Sequence, residues 1–196
     1  EHSMAEYEYG KIRKLAEGLE QAGIAEEVAA QILEGGEDIK NSTTPQRKAD
    51  WFRVSMERMD ALLDAPTRQA IRESCACCLG GKRLKLSKAI AKEHATLEER
   101  IAAANETPYV FGHGVTREED GTIVVRFSPE GEPSYRCVCL PKAEQPISIT
   151  YCLCCGGHIK HHLQIALGHK LALTARVTAL SSGGTAPCTF AYTLVD

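Results

Sequence analysis

Two stretches far apart in the chain repeat one another. Cys75-Ala76-Cys77-Cys78 is followed after Leu79 by Gly80-Gly81, and Cys152-Leu153-Cys154-Cys155 is followed at once by Gly156-Gly157. The second continues into His158-Ile159-Lys160-His161-His162, so three cysteines and three histidines fall within eleven residues. Thiolates and imidazoles are the ligands that bind zinc and iron–sulfur centres. If both blocks serve one site, the chain must fold so that they meet. We therefore expect a metal or thiol site assembled from both halves.

The cysteine count supports a reduced setting. The nine are Cys75, Cys77, Cys78, Cys137, Cys139, Cys152, Cys154, Cys155 and Cys188; eight lie in tight clusters. A secreted disulfide framework spreads its cysteines along a small, core-poor chain. With 196 residues, 43% of them hydrophobic, this chain can build a core without staples. No export signal is visible, so a cytoplasmic location is expected. Glu1-His2-Ser3 ahead of Met4 reads as a cloning scar, residues 1–4. The balance of 23 basic and 26 acidic residues leaves a net charge of −3, which gives no electrostatic basis for a nucleic-acid partner. No apolar run approaches the roughly 20 residues of a spanning helix, so no membrane partner is expected. Oligomeric state is not legible.

Residues 5–106 read as helices. Ile12, Leu15 and Leu19 recur at helical spacing, and Thr44-Pro45 and Asp64-Ala65-Pro66 are cap-and-proline starts. Trp51, Phe52, Met56 and Met59 are read as core. Gly80-Gly81 is expected to end the helix that runs into Cys75, which would put Cys75 and Cys78 on one face of its last turn. The lysines after it read as a solvated helix face. From Thr107-Pro108 the texture turns β-rich. Asp120-Gly121 is a hairpin turn, Tyr135–Leu140 alternates as a strand, 147–167 is a helix ended by Gly168, and 171–177 and 188–194 are strands. The fold class expected is α+β: a helical half packed on a C-terminal antiparallel sheet (107–196) carrying one long helix, either as two regions or as one integrated domain.

On a strand, Cys137 and Cys139 would share a face with Cα atoms about 6.6 Å apart, which disfavours a disulfide but allows both thiolates to reach one metal. On the long helix, Cys154, His158 and His161 form one stripe, and Cys155, His158 and His162 a second. The metal-ligand candidates are therefore Cys75, Cys77, Cys78, Cys137, Cys139, Cys152, Cys154, Cys155, His158 and His162. His113, between Gly112 and Gly114, is a candidate pocket and catalytic residue, because glycines allow close backbone approach. Cys188 is read as core, and His94 and His169 as surface.

From Tyr151 onward the chain resembles vinyl-4-reductase-type domains and the L-2-amino-thiazoline-4-carboxylic acid hydrolase-like proteins. The resemblance rests on Tyr151-Cys152, Gly157, Gly168, Gly184 and Cys188-Thr189-Phe190. His161 stands where that pattern has a second helix glycine. The Cys-x-Cys-Cys blocks are an addition to it, so the whole chain looks like a member of an uncharacterised, cysteine-rich bacterial family related to these domains. The resemblance implies a small-molecule-binding α/β domain whose cysteines are suspected metal ligands.

Three functions are compatible with these features. The first is a metal-binding protein, most readily with zinc, that binds an unidentified small molecule or acts as a sensor. The second is a metal- or thiol-dependent hydrolase. The third is an iron–sulfur redox protein.

Overall fold

The computed structural model describes residues 6–196; the scar at residues 1–4 lies outside them. Four helices open the chain. In α1 (Gly10–Gln21) the spacing of Ile12, Leu15 and Leu19 puts all three in the core. α2 (Glu26–Ile32) packs on α3 (Pro45–Leu62). At the start of α3 the Thr44 hydroxyl accepts the Arg47 N–H at 3.3 Å, and Pro45 sits in the first turn, where its missing donor costs nothing. The Asp64 carboxylate does the same for α4 (Ala65–Ser74), accepting the Thr67 N–H at 2.8 Å. α5 (Gly81–Glu93) and α6 (Leu97–Asn105) follow, the latter opened by a Thr96/Glu99 capping box. α7 (Pro108–Phe111) is a single turn.

The four strands are β1 (Val115–Arg117), β2 (Ile123–Arg126), β3 (Leu171–Val177) and β4 (Thr189–Leu194). They form one antiparallel sheet in the order β1-β2-β4-β3. The register pairs Val125 with Phe190 and Phe190 with Ala175, and Ile123 with Tyr192 and Tyr192 with Leu173. Alternation along the strands then sends Ile123, Val125, Leu173, Phe190 and Tyr192 to the buried face. Burying each side chain of this size stabilises the fold by about 1.5–3 kcal/mol.

Onto that face packs α8 (Leu153–Leu167), reached through a 3-10 turn at Ile149–Cys152 and ended by Gly168 in the left-handed conformation. The helix is covered on its other side by α4, α5 and α6. It is thus the central layer between the sheet and the helical half, and two adjacent glycines let it lie there. A methyl group on Gly156 would come within 2.7 Å of Leu173 Cδ2 and 3.0 Å of Phe190 Cδ1, on the sheet side. One on Gly157 would come within 3.0 Å of the Cα and carbonyl oxygen of Glu73, in α4. The α+β class, with a helical half packed on an antiparallel sheet bearing one long helix, is as the sequence predicts.

Four local expectations are corrected. Gly80-Gly81 starts α5 instead of ending the preceding helix. α4 stops at Ser74 with Cys75 as its C-cap, so Cys75 and Cys78 share no helical face. Tyr109–Phe111 is helical, because Pro108 sets up a first turn. The long helix does not begin at residue 147; residues 149–152 form the tighter 3-10 turn. Tyr135–Leu140 forms no strand. Pro133 and Pro141 bracket it and cannot donate to a ladder, and both long sides of β2 are already paired, with β1 and β4. The segment instead crosses the 179–184 loop, with the Tyr135 N–H donating to the Gly184 carbonyl at 2.9 Å.

Candidate functional site

α8 and the Cys75–Leu79 loop are held together by a row of three histidines. His158 Nδ1 lies 2.6 Å from the Cys77 carbonyl oxygen, His162 Nε2 3.0 Å from that of Cys78, and His161 Nε2 3.2 Å from that of Leu79. A carbonyl can only accept, so each of these ring nitrogens carries its proton and donates. Three successive carbonyls that would otherwise need water are thereby satisfied. The loop they hold is bent: Cys78 has φ +59°, the sole non-glycine residue with positive φ among the described residues. That conformation is unfavourable for a residue with a side chain and persists only where its surroundings impose it.

This geometry separates the histidines by chemistry. His162 is buried and has both ring nitrogens engaged, since Nδ1 also lies 3.3 Å from the Ser87 hydroxyl. No lone pair faces a metal in this arrangement, so its visible role is to position the loop. His158 uses Nδ1 alone and keeps Nε2. Burial pushes the titration of both rings below the usual histidine range, so each stays neutral at neutral pH. His161, which spacing arguments leave pointing away from His162, reaches the same loop; all three rings pack edge to face.

The cysteines meet on the other side of the loop. Cys75, Cys77, Cys139 and Cys154 line one cavity of about 350 Å³, walled further by Tyr9, Phe52, Tyr151 and Arg72. Three segments of the chain converge here: the loop after α4, the irregular segment before α8, and the first turn of α8. Helix α1 ties two of them down. Lys14 Nζ donates to the Ala76 carbonyl at 2.7 Å, and Lys11 Nζ to the Cys139 carbonyl at 3.0 Å. The two halves thus bring Cys75 and Cys77 to Cys154, as the paired blocks predict.

The other cysteines lie around this cavity and not in its wall. Cys152 is buried with its thiol donating to Thr178 Oγ1 at 3.2 Å, and burial pushes its pKa up to about 12. Burial also pushes the Cys155 thiol well above its usual value. Cys188 leads into β4, as predicted, and its sulfur accepts the Ala179 N–H at 3.3 Å. Cys137 opens into a separate groove with Arg136 and Lys142, and its sulfur accepts from the Cys139 thiol. That hydrogen bond lowers the Cys137 pKa and raises that of Cys139. Cys78 is exposed at the bend. His113 is also exposed, on the approach to β1, with its N–H donating to the Arg126 carbonyl at 2.7 Å; it lines no part of the thiol cavity.

Within the cavity Cys75, Cys77 and Cys139 are all held towards the neutral thiol form. Burial raises Cys75 against the lowering effect of Arg72, and burial together with a hydrogen bond to Cys78 raises Cys77. Among the described residues no group of three or more Cys, His, Asp or Glu side chains is arranged to hold a single metal ion.

Arg72 was not singled out by sequence reasoning. It is 3% exposed, on the last turn of α4, and its guanidinium carbon lies 4.8 Å from the Tyr151 ring centre. Nη2 donates to the Tyr151 carbonyl at 2.8 Å, but Nε has no partner, and among the described residues no carboxylate pairs with it. In the sequence Arg72 stood among the charges of a short amphipathic helix, and only its spacing of three from Cys75 marks it. Lys11 and Lys14 carried no signal at all.

No helix among the described residues is long and apolar enough to cross a membrane. Neither curated proteins nor solved structures give a significant match to the chain. One family model does match, over residues 8–182, which takes in the helical half, the thiol cavity and α8. The chain belongs to DUF6144, a family of unknown function.

Proposed function

We propose that this protein binds a soft metal centre in the cavity walled by Cys75, Cys77, Cys139 and Cys154. One observation carries the reading: four thiols from three separate segments line a single cavity that also contains a buried arginine without a carboxylate partner. Structural cysteines that merely fill a core do not require a cation in their midst. The similarity from Tyr151 onward to vinyl-4-reductase-type domains supports the same reading.

The donor set favours an iron–sulfur cluster over zinc. Zinc holds its ligands about 2.3 Å from one nucleus, which places tetrahedral sulfurs about 3.8 Å apart. Among the described residues no three donor side chains are gathered around one point in this way. An iron–sulfur cluster takes four cysteine thiolates distributed around a group of several atoms. Four thiols around about 350 Å³ suit that better than a single ion. When bound, such a group supplies one-electron transfer or a Lewis-acidic iron. The chain's contribution is to hold the thiolates, through Lys11, Lys14 and the three histidines, and to set the charge around them.

The test is anaerobic purification without added metal, followed by iron, sulfide, zinc and copper analysis and a visible spectrum. Brown protein with iron and sulfide, bleached in Cys75→Ser, Cys139→Ser and Cys154→Ser, is the expected result. A colourless protein with stoichiometric zinc would replace the cluster by a single-ion site. Absence of all three metals above trace level would end the proposal.

A further inference from the structure

Arg72 poses a problem of charge balance. Guanidinium keeps its proton in any protein setting, so burial cannot neutralise it as it can a lysine. A buried charge is ordinarily paired. Among the described residues it meets the ring of Tyr151 and one backbone carbonyl, and Nε is left without a partner. The groups around it are Cys75, Cys152, Cys154 and Tyr151, none of them a carboxylate. Among the described residues no carboxylate pairs with the charge. Arg72 itself forms part of the cavity wall, beside Cys75 and Cys154.

Resting on the reading of the cavity as a metal centre, we infer that Arg72 is the counter-cation of that centre, supplying the positive charge and the free N–H donor that a cluster ligated by four thiolates needs. Four thiolates outweigh the positive charge of an iron–sulfur core, so the assembled group is an anion, the partner Arg72 lacks. Hydrogen bonds to the sulfurs and charge near the cluster are among the factors that set its reduction potential. One-electron reduction, the electron coming from a chemical reductant such as dithionite, adds a negative charge to the group and moves no atom. A fixed cation beside it stabilises the reduced form more than the oxidised form. Arg72 thus raises the potential of the centre as well as favouring its assembly.

The experiment is a mediated dithionite titration of the anaerobically purified full chain and of the variants Arg72→Met, Arg72→Gln and Arg72→Lys. Circular dichroism establishes that each is folded. Loss of the charge in the Met and Gln variants is expected to shift the ratio of reduced to oxidised cluster at a given potential at least tenfold towards oxidised, about 59 mV for one electron. The Lys variant is expected to stay close to wild type. If the Met variant does not fold, the Gln variant, which keeps an amide donor but no charge, decides the question. A wild-type potential in the folded neutral variants would overturn the inference, and so would a Lys variant displaced as far as the neutral ones, which would assign the effect to shape. Wild-type protein without any cluster is a different failure, that of the metal-centre reading itself.

Discussion

His158 Nδ1 donates to the Cys77 carbonyl at 2.6 Å, from a position 81 residues further along the chain. This bond and its two neighbours hold the strained 77–79 loop against α8. Replacing His158 or His162 by alanine should remove a satisfied carbonyl partner at a cost of about 1–3 kcal/mol. His162→Ala should be the more damaging, since it also empties a buried site and abandons Ser87. Denaturant midpoints measure the cost. The rate at which Cys77 and Cys78 react with an alkylating reagent should rise in both variants, and unchanged rates would show that the loop is held by something else.

The close approaches at Gly156 and Gly157 lead to a second prediction. Gly156→Ala meets the flexible ends of Leu173 and Phe190 and can be partly relieved by side-chain shifts. Gly157→Ala meets the backbone of Glu73, which cannot yield without moving α4. Overpacking of this kind costs about 1–3 kcal/mol. Gly157→Ala should fall at the upper end and Gly156→Ala at the lower, as read by thermal denaturation. If the proposed centre forms, the Gly157 variant alone should also lose it, because moving α4 moves Arg72 and Cys75.

Stability should fall in mild acid. Burial lowers the folded-state pKa of His158 and His162 relative to the unfolded value near 6.5. Between the folded and unfolded values the unfolded chain binds more protons, so stability rises with pH there and is lost as pH drops below about 6.5. Urea midpoints measured for metal-free protein at neutral pH and in mild acid should differ. The difference should shrink in His158→Gln, and a pH-independent midpoint would contradict the assignment.

Metal uptake should release protons. Burial raises the pKa of Cys75 and Cys77, and a hydrogen bond to Cys137 raises that of Cys139, so these thiols carry their protons until a cation displaces them. Only the thiolate ligates, so affinity should climb with pH, by about tenfold per pH unit for each thiol displaced. Competition titrations with a cadmium probe across neutral pH test this. A flat profile would mean that the ligating thiols are already ionised.

The parts of this molecule that were legible in the sequence are those written in local chemistry. Thr44-Pro45 and Asp64-Ala65-Pro66 announced two helix starts, Asp120-Gly121 a hairpin, Gly168 a helix end, and the alternation at 171–177 a strand. The meeting of the two cysteine blocks was legible from their repetition. What the sequence concealed depends on tertiary context. Tyr135–Leu140 alternates like a strand, yet it lies between two prolines that cannot donate to a ladder, and its nearest strand, β2, is already paired on both sides. Gly80-Gly81 can stop one helix or start another, and only the packing of α5 on α8 decides. The bonds from the histidines to the 77–79 carbonyls were hidden because residue type and spacing are the same for a metal ligand and for a donor to a carbonyl. Arg72 was hidden for a related reason: nothing in the order of residues says which of a helix's charges will be sealed inside.

The cavity draws its wall from α1, from the loop after α4, from Cys139 and from α8, so its last thiol, Cys154, comes 79 residues after Cys75. During synthesis at about 5–20 residues per second, Cys75 and Cys77 wait roughly 4–16 s for Cys154 to be made. For that interval the nascent protein carries unshielded thiols and an arginine with no anion. The order of its residues thus leaves the pocket's first thiols open to reaction until its last one is made.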